Sequence, residues 1–263
     1  MNDTLLELAG LGLAFAGNRV LQDIDFNVPA GAVVSLIGPN GAGKTSLFNC
    51  ITGFYKPQTG RITFGGHELL NLKPHLVTKA GIARTFQNLR LFREMTVLEN
   101  VMSGMHCRTR SGAIAAVLRT PRQRKEEREI EAFSRDCLRF VGVDDDLDRE
   151  ATTLAYGHQR RIEIARALAT RPKLLLLDEP AAGLNSGEKE DLIALIARIR
   201  DERGISVLLI EHDTGLVMKA SERVSVLDHG VMIAEGTARE IQKDPKVIEA
   251  YLGQDDAEAS LGF

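Results

Sequence analysis

Eight consecutive residues, Gly38-Pro39-Asn40-Gly41-Ala42-Gly43-Lys44-Thr45, carry a glycine-rich pattern suited to holding phosphate. An apolar run, Ala32 to Ile37, precedes it, and a helix-like stretch, Ser46 to Ile51, follows. The glycines let successive backbone N–H groups turn inward, and the following helix adds the positive end of its dipole to the same concavity. Lys44 is then placed to reach the β and γ phosphates, and Thr45 to offer its hydroxyl to magnesium. The chain is expected to bind a nucleoside triphosphate, with Gly38 to Ser46 as its cradle.

A second group of residues could act on that phosphate. Leu174-Leu175-Leu176-Leu177-Asp178-Glu179-Pro180 reads as a buried strand that delivers two adjacent carboxylates at its C-terminal end, the edge where open parallel sheets bind ligands. Asp178 is expected to hold magnesium, directly or through water, and Glu179 to polarise a water for in-line attack on the γ phosphate. A further apolar run, Ser206 to Ile210, ends in Glu211-His212-Asp213. Taken alone, His212 would be a capping or surface residue. After the two preceding motifs it is expected to contact the γ phosphate.

The elements that must position these residues alternate. Leu5 to Phe15 and Val20 to Val28 read as antiparallel strands broken by Gly10, Gly12, Gly17 and Pro29. A helix to about Gly53 follows the phosphate loop. Strands are expected at Arg61 to Phe64, turning at Gly65-Gly66, and at Ile82 to Phe86, ending at Gln87. From Thr96 to about Arg149 the pattern is helical, with a capped start at Thr96-Val97-Leu98-Glu99-Asn100. Helices at 158–169 and 187–202 then alternate with buried strands at 173–177 and 205–210, which implies a parallel sheet. A hairpin around His229-Gly230 closes the pattern. These readings divide the chain into an ATP-binding core with a β subdomain (1–95 and 150–253), an inserted helical lobe (96–149) and an acidic, frayed tail (254–263).

Composition narrows the class. The chain has 263 residues and a formal net charge of -3, against the basic surplus usual in nucleic-acid binders. Cys50, Cys107 and Cys137 form no CxxC pair and have no histidines at metal spacing, which fits a reducing cytoplasm. No segment reaches eighteen uninterrupted apolar residues and the start resembles no secretion signal, so any membrane role is expected through another protein.

The phosphate loop, Gln87, Leu154-Ala155-Tyr156-Gly157-His158, Leu174 to Glu179 and His212, in this order and spacing, resemble the ATP-binding subunits of ABC transporters over nearly the whole chain. The resemblance implies an α/β fold: a RecA-like P-loop NTPase core with an antiparallel β subdomain and an inserted α-helical lobe. It also implies ATP hydrolysis with magnesium. Gln87 takes the family's role of joining magnesium and the attacking water to a loop that senses the membrane partner. Phe15 matches the aromatic residue on which adenine stacks. Ala181 to Asn185 sits where the family has its D-loop, with Asn185 replacing the usual aspartate.

The signature loop departs most from the common Leu-Ser-Gly-Gly-Gln, which binds the γ phosphate held by the opposite subunit. Ala155 replaces the serine, Tyr156 a glycine and His158 the glutamine, while Gly157 is kept. Loss of a hydrogen bond to a charged group costs roughly 1.5 to 3 kcal/mol, enough to weaken a site without abolishing nucleotide binding. Together with Arg84 to Gln87, Leu91 to Asn100 and Ala250-Tyr251-Leu252-Gly253, the Leu-Ala-Tyr-Gly start looks like the LivG type of branched-chain amino-acid importer, although that type keeps glutamine at position 158.

That subfamily implies a second, different ATPase of LivF type, two membrane permease subunits and a substrate-binding protein, with this chain at the cytoplasmic face of the inner membrane. In isolation a monomer or homodimer is expected. Two ATP molecules would be sandwiched between the paired ATPases. The site built on Lys44, Glu179 and His212 would then meet an intact partner signature, while the partner's ATP meets Ala155. A basic arm from Gly104 to Arg135, with the apolar run Ala113 to Leu118, reads as a solvated helical hairpin or as a contact to permease or anionic lipid. The alternatives are a lipopolysaccharide-exporting ABC ATPase, whose signature keeps serine and two glycines, a soluble non-transport ABC ATPase, and a subunit that binds ATP without hydrolysing it. The substrate, which the ATPase never touches, stays open among branched-chain and related amino acids, amides and urea.

Overall fold

The computed structural model describes residues 4–105 and 121–252. The elements in chain order are β1 (Thr4–Phe15), β2 (Asn18–Pro29), β3 (Val33–Ile37), α1 (Lys44–Ile51), β4 (Thr59–Phe64), β5 (His67–Glu68), α2 (Pro74–Ala80), β6 (Ile82–Arg84), α3 (Val97–Met105) and α4 (Pro121–Val141). They continue with α5 (Tyr156–Ala169), β7 (Leu174–Asp178), α6 (Ser186–Arg203), β8 (Ser206–Ile210), α7 (Thr214–Ala220), β9 (Arg223–Asp228), β10 (Val231–Gly236), α8 (Ala238–Ile241) and α9 (Pro245–Leu252).

Two sheets form. An antiparallel sheet of order β2-β1-β4-β5 lies beside a six-stranded sheet of order β10-β9-β3-β8-β7-β6. In the larger sheet every pairing is parallel except that of β10 with β9. Strands buried on both faces need apolar residues at every position, and the leucines of β7 meet that demand. Because side chains alternate across a strand, Leu175 and Leu177 enter the core shared with α3, α4, α5 and α6. Leu174 and Leu176 enter the core shared with the antiparallel sheet and α1. β8 divides in the same way, with Val207 and Leu209 on one side and Leu208 and Ile210 on the other. The sheet is thereby held from both faces, which fixes the C-terminal edge on which the phosphate loop, Asp178 and Glu211 lie.

Three differences from the sequence reading have local causes. β1 is not broken at Gly10 and Gly12: it runs through both, with register shifts between Leu8 and Leu13 in its pairing with β2. The glycines mark bulges, which let one strand pair with β2 and β4 at once. β6 stops at Arg84, short of Phe86, and releases the Gln87 segment into irregular chain. Four short helices, α2, α7, α8 and α9, are additional to the expected elements. None exceeds eight residues, too few for a periodic apolar stripe to stand out. The helix start at Thr96 forms as expected, with Thr96 Oγ1 accepting from Glu99 N–H and Glu99 Oε2 accepting from Thr96 N–H. The apolar run Ala113 to Leu118 and the tail 254–263 lie outside the described residues. Of the basic arm, Arg124, Lys125 and Arg128 are described, on α4.

Candidate nucleotide site

Gly38 follows β3 directly. A Cβ there would lie 1.9 Å from the Leu227 carbonyl oxygen, so no other residue lets the loop run this close to β9. Gly43 caps α1 at φ 108°, a left-handed geometry that favours glycine. It has no side chain with which to cap the helix, and the first turn of α1 holds no acidic residue. The first N–H groups of α1 thus keep their hydrogen-bonding capacity for an anion. Lys44, the first residue of that helix, is 8% exposed and donates to the carbonyls of Gly38 (2.5 Å) and Pro39 (2.9 Å). Burial lowers its pKa, while Glu179 and Asp178 act in the opposite direction. Its ammonium therefore stands in the field of both carboxylates. Thr45 is exposed and Ser46 half-buried on the first turn of α1.

Asp178 ends β7, buried, and its Oδ2 accepts from Arg84 Nη2 at 2.7 Å. Arg84 also donates to Asn49 Oδ1 at 2.7 Å and lies against the rings of Phe48 and Phe86. One carboxylate oxygen is thereby committed to Arg84. Glu179 takes φ 46°, left-handed geometry for a side chain with a Cβ, which costs of order 1–3 kcal/mol and persists only where the surroundings impose it. Its N–H donates to the Ile210 carbonyl of β8, which holds the backbone in that turn. Its Oε2 accepts from Gln87 Nε2 at 2.8 Å and lies 3.9 Å from His212 Nδ1. The structure thus brings Gln87, Glu179 and His212 together, with both carboxylates acting on Lys44.

These donors suit magnesium. Thr45, Gln87 and Asp178 offer a hydroxyl, an amide and a carboxylate oxygen, the hard ligands this ion prefers. No group of three or more His, Cys, Asp or Glu side chains among the described residues forms a cage of its own. That pattern suits an ion that takes most of its ligands from water and substrate phosphate.

Several supporting residues escaped the sequence reading. Glu211, 1% exposed, accepts from Ala181 N–H at 2.8 Å and from His212 N–H at 3.2 Å, joining the turn after Glu179 to the base of His212. Phe15 is exposed at the end of β1, edge-on to Tyr55 with ring centroids 5.1 Å apart. Gln58 brackets the preceding residue, accepting from Ala14 N–H and donating to its carbonyl. Tyr251 of α9 packs in the cluster of Ile37, with the Gly38 amide and Asp228 acting on its hydroxyl. All four contacts join residues distant in sequence or adjacent to a more conspicuous neighbour. The Glu211-His212 pair was visible, and adjacency to His212 was the one available signal.

The signature loop lies apart from this cluster and forms the start of α5. Ala155 is its N-cap and supplies no side-chain hydrogen bond, and no acidic residue occupies the first turn. Backbone N–H groups there are left to an external acceptor. Gly157 packs closely against α6: a Cβ there would lie 2.5 Å from Glu188 Oε1 and would push that side chain aside. Tyr156 fills the space beside Gly183, whose own Cβ would come within 3.1 Å of the ring. Asn185 caps α6 in a capping box with Glu188, a task asparagine and aspartate perform equally well. His158 is exposed at the rim of a cavity of about 310 Å³ that Gly157, Arg161, Glu188 and Asp191 also line.

Comparison with known proteins agrees with this geometry. The ABC transporter family matches residues 21–182, and a family described as branched-chain amino acid ATP-binding cassette transporter matches 231–257. The chain is 46% identical to the high-affinity branched-chain amino acid transport ATP-binding protein BraF of Pseudomonas aeruginosa, covering 97% of this chain and all of that one. It is 44% identical to LivG of Escherichia coli K12 over the same shares. A solved ATP-binding cassette of an ABC transporter in its ADP conformation aligns with a TM-score of 0.83 at 34% identity, covering 95% of this chain and 99% of the other. A dimeric bacterial ABC transporter cassette aligns at 0.75 with 26% identity, covering 89% and 99%. A triphosphate cradle, a carboxylate poised beside it and relatives matched end to end make this chain a member of the ABC transporter ATP-binding family, in its branched-chain amino acid branch, and an ATPase.

Proposed function

We propose that this chain is one of two ATPases of an importer for branched-chain or related amino acids, paired with a second ATP-binding subunit beneath two permeases served by a substrate-binding protein. The observation that carries the hydrolytic part is the position of Glu179, 2.8 Å from Gln87 and 3.9 Å from His212 on the Lys44 side of the sheet edge.

In this reading Gly38 to Ser46 wrap the phosphates and Lys44 exchanges its loop carbonyls for β and γ oxygens. Phe15 carries the adenine. Glu179 accepts a proton from water as that water attacks the γ phosphorus, and His212 donates to the γ oxygens as ADP leaves. Bound magnesium, held by Thr45, Asp178 and Gln87, would neutralise charge developing on the phosphates. Arg84 holds Asp178 for that purpose, and Gln87 reports the state of the site to the membrane partner. Glu179→Gln is expected to lower ATP turnover about 10² to 10⁴-fold, the contribution of a positioned general base. Unchanged turnover in the purified protein would sink the assignment.

Among the described residues no helix is long and apolar enough to cross a membrane, so attachment at the cytoplasmic face falls to the permeases. The contact is proposed for a groove of about 430 Å³ between the parallel sheet and the helical lobe, lined by Phe86, Arg90, Phe92, Ser103 and Arg166. Phe86, the residue before Gln87, is part of its wall, and Phe92 stands half exposed at its side. The exposed N-terminus of α5 supports pairing, since Ala155 and Gly157 present amides that nothing in their own helix caps. That face is proposed to meet ATP held by the second subunit.

A further inference from the structure

Arg160 is the largest fully buried side chain of the described residues, at 1% exposure. Its Nη1 donates to the Phe86 carbonyl and to Glu163 Oε2, both at 2.9 Å. Its Nη2 donates to the Gln87 carbonyl at 2.9 Å and to the Tyr156 hydroxyl at 3.2 Å. Burying a guanidinium is costly unless its donors find acceptors, and here four of them do. Two of those acceptors are consecutive carbonyls of the irregular chain that delivers Gln87. A planar fork spans such a pair, whereas a lysine ammonium, a point charge on a flexible stem, does not fix the angle between them. The other two acceptors belong to α5, where Arg160 lies one turn beyond the signature residues. Arg166 of the same helix adds a second tie, donating to the Arg90 carbonyl at 2.5 Å.

We infer that Arg160 is a positioning residue for hydrolysis, locking the Gln87 segment to the signature helix so that the two move as one body. The inference rests on the reading that Gln87 and Glu179 act on ATP. Its consequence is that a partner's phosphate engaging the N-terminus of α5 sets the distance between Gln87 and Glu179 in this chain's own site. The two ATP sites of a pair are then linked through this buried side chain.

Three variants of the full chain test this. Arg160→Lys keeps a charge beside Glu163 but releases the carbonyl pair. It is expected to lower kcat by about tenfold to a hundredfold, the effect of a misplaced group, with KM for ATP nearly unchanged. Arg160→Gln combined with Glu163→Gln removes the buried charge pair altogether. Its melting temperature should exceed that of Arg160→Gln alone, while its kcat stays low. In both Arg160→Lys and the double variant, amide hydrogen exchange over residues 87–90 should accelerate without nucleotide. Parental kcat and parental exchange in the double variant would overturn the inference, leaving Arg160 as a counter-charge for Glu163. Should Glu179→Gln leave turnover intact, the hydrolytic reading falls, and the exchange experiment still decides whether Arg160 holds the loop.

Discussion

Glu211 shows how a single buried group supports a site without touching substrate. Burial raises its pKa, against the opposing pull of the Ala181 amide and of His212. A carboxyl whose folded pKa lies above its unfolded value contributes stability that is fully present below the unfolded value and is lost as pH rises through the folded one. Glu211→Gln, which keeps an acceptor for Ala181 N–H and does not ionise, should therefore gain melting temperature relative to the parent as pH rises from the ordinary carboxylate range of about 4 toward neutrality. A difference that stays flat across that range would show that Glu211 does not titrate as the burial implies. Residues of this kind were invisible in the sequence because their meaning is a contact. Lys44, Asp178, Glu179 and His212 could be singled out from motif and strand ends. That Asp178 would face Arg84, 94 positions away, could not. The same limit applies to Tyr55, whose only distinction is its distance from Phe15 after folding.

At the level of elements, alternation of strand and helix was legible because the buried strands are short apolar runs that end in chemistry. The course of β1 through Gly10 and Gly12 was not, since a bulge and a break share the same glycines. Packing predicts the cost of disturbing the central strands. Leu176→Ala, at 0% exposure in the core shared with α1, should destabilise the protein by about 2–5 kcal/mol in denaturant unfolding. A loss under 1 kcal/mol would mean that the layer between the sheets collapses around the deletion, contrary to the low end of about 2 for such cavities. α9, one of the four helices the apolar pattern did not reveal, has a more specific use. Tyr251 stands on it beside the phosphate loop, and burial pushes its hydroxyl up to about 12, against the opposing pull of the Gly38 amide, so it stays protonated. Tyr251→Phe removes the hydroxyl beside the phosphate loop and should weaken ATP binding roughly two- to tenfold in a nucleotide titration. Parental affinity would confine α9 to a purely packing role.

Among the described residues, the starts of α1 and α5 are both ready for an anion, with unequal equipment. One, at α1, belongs to its own cradle with Lys44 inside it. The other, at α5, lacks the serine hydroxyl that the common signature supplies. In a mixed pair the two ATP sites should differ, and Ala155→Ser should strengthen the site held by the partner. The gain is bounded by about 1.5–3 kcal/mol for a hydrogen bond to a charged group, readable as tighter ATP-dependent pairing of the two subunits. No change in pairing would place the asymmetry elsewhere. A single substitution is the right form for that test, because of how Tyr156 and Gly157 are seated against Gly183 and Glu188. Transplanting the whole common signature would delete the ring that covers Gly183 and one of the acceptors of Arg160. For anyone exchanging parts between such ATPases, residues 155–160 and 183–188 are one cartridge: cut between them, and each half arrives without the surface it was shaped to fit.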